Sequence, residues 1–96
     1  MSCPRFLYVI SSPFGYQKIG WTIDLKTRLT MLSQAHPLPV TLYKAWELID
    51  ATKVETEVHK CIDYLRTNGE WFCINAESAV ELVEAVHGIS FEIGLE

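Results

Sequence analysis

Cysteine is scarce and unsuited to cross-linking. Cys3, Cys61 and Cys73 are 3 in number. An odd count with no C-x-x-C spacing argues against both a disulfide framework and a zinc knuckle. The expected setting is reducing and intracellular. Long apolar runs are also missing. The most hydrophobic stretches break within a few residues, too soon to span a bilayer. Met1-Ser2-Cys3-Pro4-Arg5 lacks the apolar core of a secretion signal. No repeat, low-complexity tract or linker interrupts the chain, so residues 1–96 read as a single domain. Positive charge is in short supply as well. The 8 Lys and Arg are outnumbered by 12 Asp and Glu, for a net charge of -4. That sign is unfavourable for tight binding to nucleic acid.

Apolar side chains are plentiful. Hydrophobic residues make up 49% of the chain and aromatics 11%, enough for a core that needs neither disulfide nor structural metal. The charge is also unevenly distributed. Every Lys and Arg lies at or before Arg66, whereas Glu70, Glu77, Glu81, Glu84, Glu92 and Glu96 follow it. A mildly basic body with an acidic C-terminal third is compatible with a basic site facing a phosphate and an acidic rear face. The plainer reading is that the acidic third serves solubility.

The pattern predicts β-β-α-β-α-(β)-α. Phe6 to Ser11 is a buried strand, with Val9 and Ile10 favouring that state. Ser12-Pro13-Phe14-Gly15 is turn chemistry, and Gln17 to Thr22 returns as the partner strand. Thr22 or Asp24 caps a helix that runs to about Ala35, with Leu25, Leu29 and Leu32 on its buried face. His36-Pro37-Leu38-Pro39 stops it. Val40 to Leu48 suits a third strand. Asp50 is the expected N-cap of a long helix from Ala51 to about Arg66, with Val54, Val58, Cys61, Ile62 and Leu65 as its stripe. Asn68-Gly69 ends that helix. Glu70 to Ile74 is extended. A last helix runs from about Ala76 to Val86, where Asn75 is a candidate cap, and Gly88 ends it. Ile89 to Glu96 is a short strand or a frayed tail. The fold class is α/β (α+β), a small antiparallel sheet flanked by helices.

Several short segments stand in a telling order. Phe6-Leu7-Tyr8 is followed by Lys18-Ile19-Gly20 and Arg28. Asp50-Ala51, Glu55-Thr56-Glu57-Val58-His59 and Gly69-Glu70-Trp71-Phe72 come next. Over residues 6 to 74 this resembles the GIY-YIG nucleases, and most closely their compact phage-type branch. The leading glycine of the first motif is absent, Lys18 replaces a tyrosine, and the gap between motifs is slightly short. No second domain for target recognition is in view, which implies little intrinsic sequence specificity unless a protein partner provides it.

The resemblance implies three central strands and a metal-dependent endonuclease acting on nucleic acid, with DNA favoured over RNA. Tyr8, Lys18, Arg28, Glu55 and His59 are its catalytic candidates, and Glu55 the ligand of a single Mg²⁺ or Mn²⁺. The chemistry suits these residue types. A carboxylate is a hard oxygen donor. Arg28 borders the apolar stripe of its helix, and its fork matches phosphate oxygens. His59 lies four residues beyond Glu55 on the same side of the helix, to hold phosphate or to edge the core. Tyr8 in an apolar strand is either core or the group that acts on the attacking water. With a reference pKa of about 10 it needs a nearby cation to act as a base, and Lys18 is one source. Tyr16 is an alternative occupant of the missing tyrosine's place. Gly20 lets backbone or substrate come close in the strand. Trp21 either stacks on a base or packs under the hairpin. Trp71 and Phe72 read as core or interface aromatics beside the site. The rival function is a weakly active or inactive module that binds nucleic acid or a protein partner.

Overall fold

The four central residues of the first strand organise the molecule. The structure, a computed structural model, describes residues 4–35 and 39–88. In it β1 (Phe6–Ser11) pairs antiparallel with β2 (Gln17–Thr22) on one side and β3 (Thr41–Glu47) on the other. Side chains alternate across a strand. Leu7 and Val9 therefore enter one core with Ile19, Val54, Val58, Phe72 and Val83. Tyr8 and Ile10 enter a second core with Val40, against Leu25, Leu29 and Leu32. A strand buried on both faces reads as a continuous apolar run, and Leu-Tyr-Val-Ile is one.

Helix α1 (Leu25–Ala35) covers the Tyr8 face. Helices α2 (Ala51–Cys61) and α3 (Ala76–His87) cover the other. Asp24 caps α1: its Oδ1 accepts from the Thr27 N–H at 3.1 Å and its Oδ2 from the Thr27 hydroxyl at 2.7 Å. Asn75 caps α3, accepting from the Ser78 N–H at 2.7 Å. Gly88 closes it. Asp50 precedes α2 but makes no side-chain cap bond. Its carboxylate faces His87 Nε2 at 3.3 Å, which ties the start of α2 to the end of α3.

The α+β class is as expected, but the sheet has five strands, in the order β3-β1-β2-β5-β4. Strand β5 (Trp71–Phe72) falls inside the extended piece expected over Glu70 to Ile74. Strand β4 (Arg66–Asn68) stands where the end of a helix was expected, and it is too short for alternation to show in a sequence. Helix α2 stops at Cys61, not near Arg66, and a 3₁₀ turn over Asp63–Leu65 follows. Ile62 and Leu65 still reach the core. A spacing of three residues suits one turn of 3₁₀ as well as it suits an α-helix, so the stripe could not distinguish them. Cys61 is exposed, not part of the stripe. Asn68-Gly69 does not end a helix. Gly69, at φ 58°, lies in the tight β4–β5 connection, where a left-handed residue is needed. The expected helix stop at residues 36–38 and the tail from Ile89 lie outside the described residues. Among the described residues, no helix is long and apolar enough to cross a membrane.

Phe72 is fully buried and touches both the His59 ring (4.9 Å between centroids) and the Arg66 guanidinium (4.8 Å). Phe72→Ala is expected to cost about 3–5 kcal/mol in urea denaturation. Tyr64→Ala, at a residue 81% exposed, should stay within about 0.5 kcal/mol.

Candidate functional site

The site forms where the sheet runs out of partners. Strand β5 pairs with β2 only at Gln17 and Lys18. Beyond them the outer edge of β2 still carries backbone groups that require partners. The Ile19 N–H donates to the Glu70 carbonyl at 3.3 Å. The Ile19 carbonyl accepts from His59 Nε2 at 2.7 Å. The Trp21 N–H hydrogen-bonds the Glu55 carboxylate. Residues four apart on α2 thus meet backbone groups two apart on β2. A helical repeat of 1.5 Å per residue over four residues is close to an extended repeat of about 3.3 Å over two.

Glu70 arrives from the β4–β5 turn. Ligand atoms of Glu55, His59 and Glu70, all half-buried, lie within 4.8 Å of one another. Because His59 Nε2 donates its proton to Ile19, the lone pair of the neutral ring is on Nδ1. A ring oriented by a backbone carbonyl is the usual setting of a ligating histidine. Lys18 Nζ lies 3.3 Å from Glu70 Oε1 and over the Trp71 ring at 5.8 Å.

Gly20 lets both sheet faces reach this edge. A β-carbon there would sit 2.7 Å from the Tyr8 hydroxyl oxygen and 2.9 Å from Glu70 Oε1. The close approach at this glycine is therefore made by the side chains of Tyr8 and Glu70, where backbone or substrate was expected. A cleft of about 410 Å³ opens over them, lined by Tyr8, Trp21, Thr22, Ile23, Arg28, Glu55 and Glu70. Tyr8, Arg28 and Glu55 thus share one cleft. His59 joins through the ligand cluster, and Lys18 through Glu70. Tyr16 is in the β1–β2 connection and does not line the cleft. Trp21 packs against the core beneath the Arg5 guanidinium, 5.4 Å from its ring.

Glu70 was not among the site residues read from the sequence. It appeared there only within Gly69-Glu70-Trp71-Phe72 and as part of an acidic third. Its position depends on a turn between two very short strands, which no periodicity announces. Elsewhere in that acidic third, Glu84 is engaged by Lys44 Nζ at 2.9 Å and by Trp46 Nε1 at 3.3 Å.

The T5orf172 domain matches residues 5–87. The chain belongs to the T5orf172 family. This corrects the assignment to the GIY-YIG nucleases drawn from the short motifs. Phe6-Leu7-Tyr8 and Lys18-Ile19-Gly20 encode a hairpin with one close approach, a local requirement that does not single out one family. The T5orf172 match covers nearly the whole domain. T5orf172 is a phage-type, nuclease-like domain, consistent with a nucleic-acid-related function. No curated protein and no solved structure matched the chain.

Electrostatics set the resting state of this T5orf172 site. Burial is the main reason the Glu55 pKa is pushed up to about 7. The Glu70 charge and a hydrogen bond between the two carboxyl groups act in the same direction, against Lys18 and the Trp21 N–H. Burial also pushes the Tyr8 hydroxyl up to about 12, with the Glu70 and Glu55 charges adding to it and Arg28 opposing. Tyr8 therefore keeps its proton at neutral pH. Asp24, the α1 cap, is held below the usual carboxylate range by its bonds to Thr27.

A carboxyl whose pKa rises on folding holds its proton longer in the folded state than in the unfolded one. Stability contributed by Glu55 therefore falls as pH rises from about 4.5 to about 7 in metal-free protein. Glu70→Gln removes the neighbouring charge. It should lower the Glu55 pKa towards 4.5 and flatten that slope, as read by carbon NMR of the Glu55 carboxyl and by urea melts across pH. An unchanged Glu55 titration would show that burial alone sets it.

Proposed function

We propose that this T5orf172 domain is a metal-dependent endonuclease. It hydrolyses phosphodiester bonds in nucleic acid, DNA in preference to RNA, with little sequence choice of its own. One observation carries the reading. The Glu55–His59–Glu70 cluster, with ligand atoms within 4.8 Å, adjoins the cleft that holds the Tyr8 hydroxyl and Arg28. Two carboxylates and an imidazole fit a divalent cation of the Mg²⁺ or Mn²⁺ kind. The nitrogen donor adds preference for Mn²⁺. Such an ion, when bound, acidifies water and offsets charge on a phosphate.

The side chains divide the remaining work. Arg28 places a two-pronged cation in the cleft, where a phosphate gains negative charge as it is attacked. Tyr8, still protonated, is not the base: its hydroxyl oxygen accepts a hydrogen bond from the attacking water and orients it, and the proton that water loses passes to bulk water. Lys18 holds Glu70 in place and offsets part of the charge of two adjacent carboxylates. His59 fixes α2 against β2 through Ile19, so Glu55 and His59 keep their separation. Binding in the ground state is weak by this design, since Arg28 shares its cleft with Glu55 and Glu70. Turnover depends on holding the transition state, not on tight binding of the substrate. That same excess of acid favours a second reading, a binding module without activity whose partner is a protein.

Cleavage of labelled single- and double-stranded DNA and RNA, with Mg²⁺, Mn²⁺ or EDTA, tests the proposal. Cutting with Mg²⁺ or Mn²⁺ at low salt, none in EDTA and poor retention in a gel shift are expected. Glu55→Ala should abolish metal-dependent cutting without unfolding the protein. Arg28→Ala should lower kcat by about 10²–10³-fold, and Arg28→Lys should be nearly as poor, because lysine keeps the charge and loses the fork. Tight retention of a ligand with no cleavage under any metal would establish the binding module.

A further inference from the structure

A second cleft of about 410 Å³ adjoins the first, and Glu55 lines both. Its other walls are Thr56, His59, Lys60, Asp63 and Arg66. The metal-ligand cluster thus lies at the junction of two hollows. The first contains Arg28, and the second contains Lys60 and Arg66.

Arg66 is positioned as a binding group is. Its Nε donates to Asp63 Oδ1 at 2.9 Å, its Nη1 donates to the Gly69 carbonyl, and its plane lies over the Phe72 ring at 4.8 Å. A guanidinium has five N–H donors. Those two bonds leave three for a ligand, on a side chain whose freedom is already spent. Asp63 is matched by Arg66, and Glu55 belongs to the metal cluster. Lys60 pairs with Glu57 at 3.7 Å, and both side chains are exposed, a pairing that a phosphate readily displaces.

We propose that this second cleft binds the phosphate of the nucleotide next to the scissile bond, with Arg66 as anchor and Lys60 as second cation, so that a nucleic-acid strand crosses α2 at Glu55. The assignment rests on the cleavage reading of the first cleft. It adds what that reading lacks, which is cations in a cleft that Glu70 does not line, to hold a strand in register.

Two substrates separate the clefts: a single-stranded DNA 12-mer, and thymidine 5′-p-nitrophenyl phosphate, whose one phosphodiester leaves nothing to reach Arg66. Lys60→Ala and Arg66→Ala are each expected to lower kcat/KM on the 12-mer by about 3–10-fold, mostly through KM. Hydrolysis of the small ester should move less than twofold. A binding measurement stands apart from turnover. In the Glu55→Ala background, the slope of log Kd for the 12-mer against log salt should become shallower by about 0.7 for each cation removed. Equal losses on both substrates would reduce Arg66 to a brace of the Glu70 turn and overturn the proposal. So would an unchanged salt slope in the Lys60 variant, whose exposed side chain pairs with Glu57 on its own helix and is no part of the core. If the wild type cuts nothing, the cleavage reading fails by itself and the salt slopes alone decide the second cleft.

Discussion

The rest of the site depends on one unmet requirement of the sheet. Strand β2 outruns its partner β5 after Lys18, and the exposed backbone at Ile19 and Trp21 has to be bonded by something. Helix α2 does it, with His59 on the Ile19 carbonyl and Glu55 on the Trp21 N–H. Leaving such groups unsatisfied costs about 1–3 kcal/mol each. That penalty presses α2 against the edge and sets where Glu55 and His59 stand. The apolar stripe of α2 fixes which face of the helix is buried. The two polar bonds fix its height along the strand.

The same arrangement brings charge together that would otherwise separate. Glu70 comes from the β4–β5 turn and lies near Glu55, although two carboxylates half out of water repel. Lys18 relieves part of this, and Glu55 relieves more by holding a proton up to about pH 7. Such a cluster adds little to folding stability. Under the proposed function it is a place where a dication would replace a proton, the usual compromise between stability and function. Gly20 is part of the same compromise. A strand glycine weakens the strand, yet here any side chain would occupy the space of the Tyr8 hydroxyl and Glu70.

Much of this was legible in the chain. Phe6 to Ser11 announced a buried strand. Asp24 and Asn75 announced helix starts, and Leu25, Leu29 and Leu32 a packing face, because each follows from local sterics and short-range hydrogen bonding. Tyr8, Lys18, Arg28, Glu55 and His59 were singled out by motif likeness, and for Arg28 its place beside an apolar stripe added to it. That likeness was not enough to name the family, since short motifs describe a hairpin and a helix rather than the whole domain.

What the sequence by itself determined is the three longer strands and three helices, the apolar stripes that pack them and a short roster of polar residues beside those stripes. Tertiary structure alone decided that Glu70 completes the cluster, that α2 gives way to a 3₁₀ turn after Cys61, and that Arg66 faces a second cleft. The physical reason is the same for each. These outcomes depend on where strands of two and three residues end against a longer neighbour. That length mismatch is a long-range property of the sheet, and the periodicity of a single segment carries no record of it.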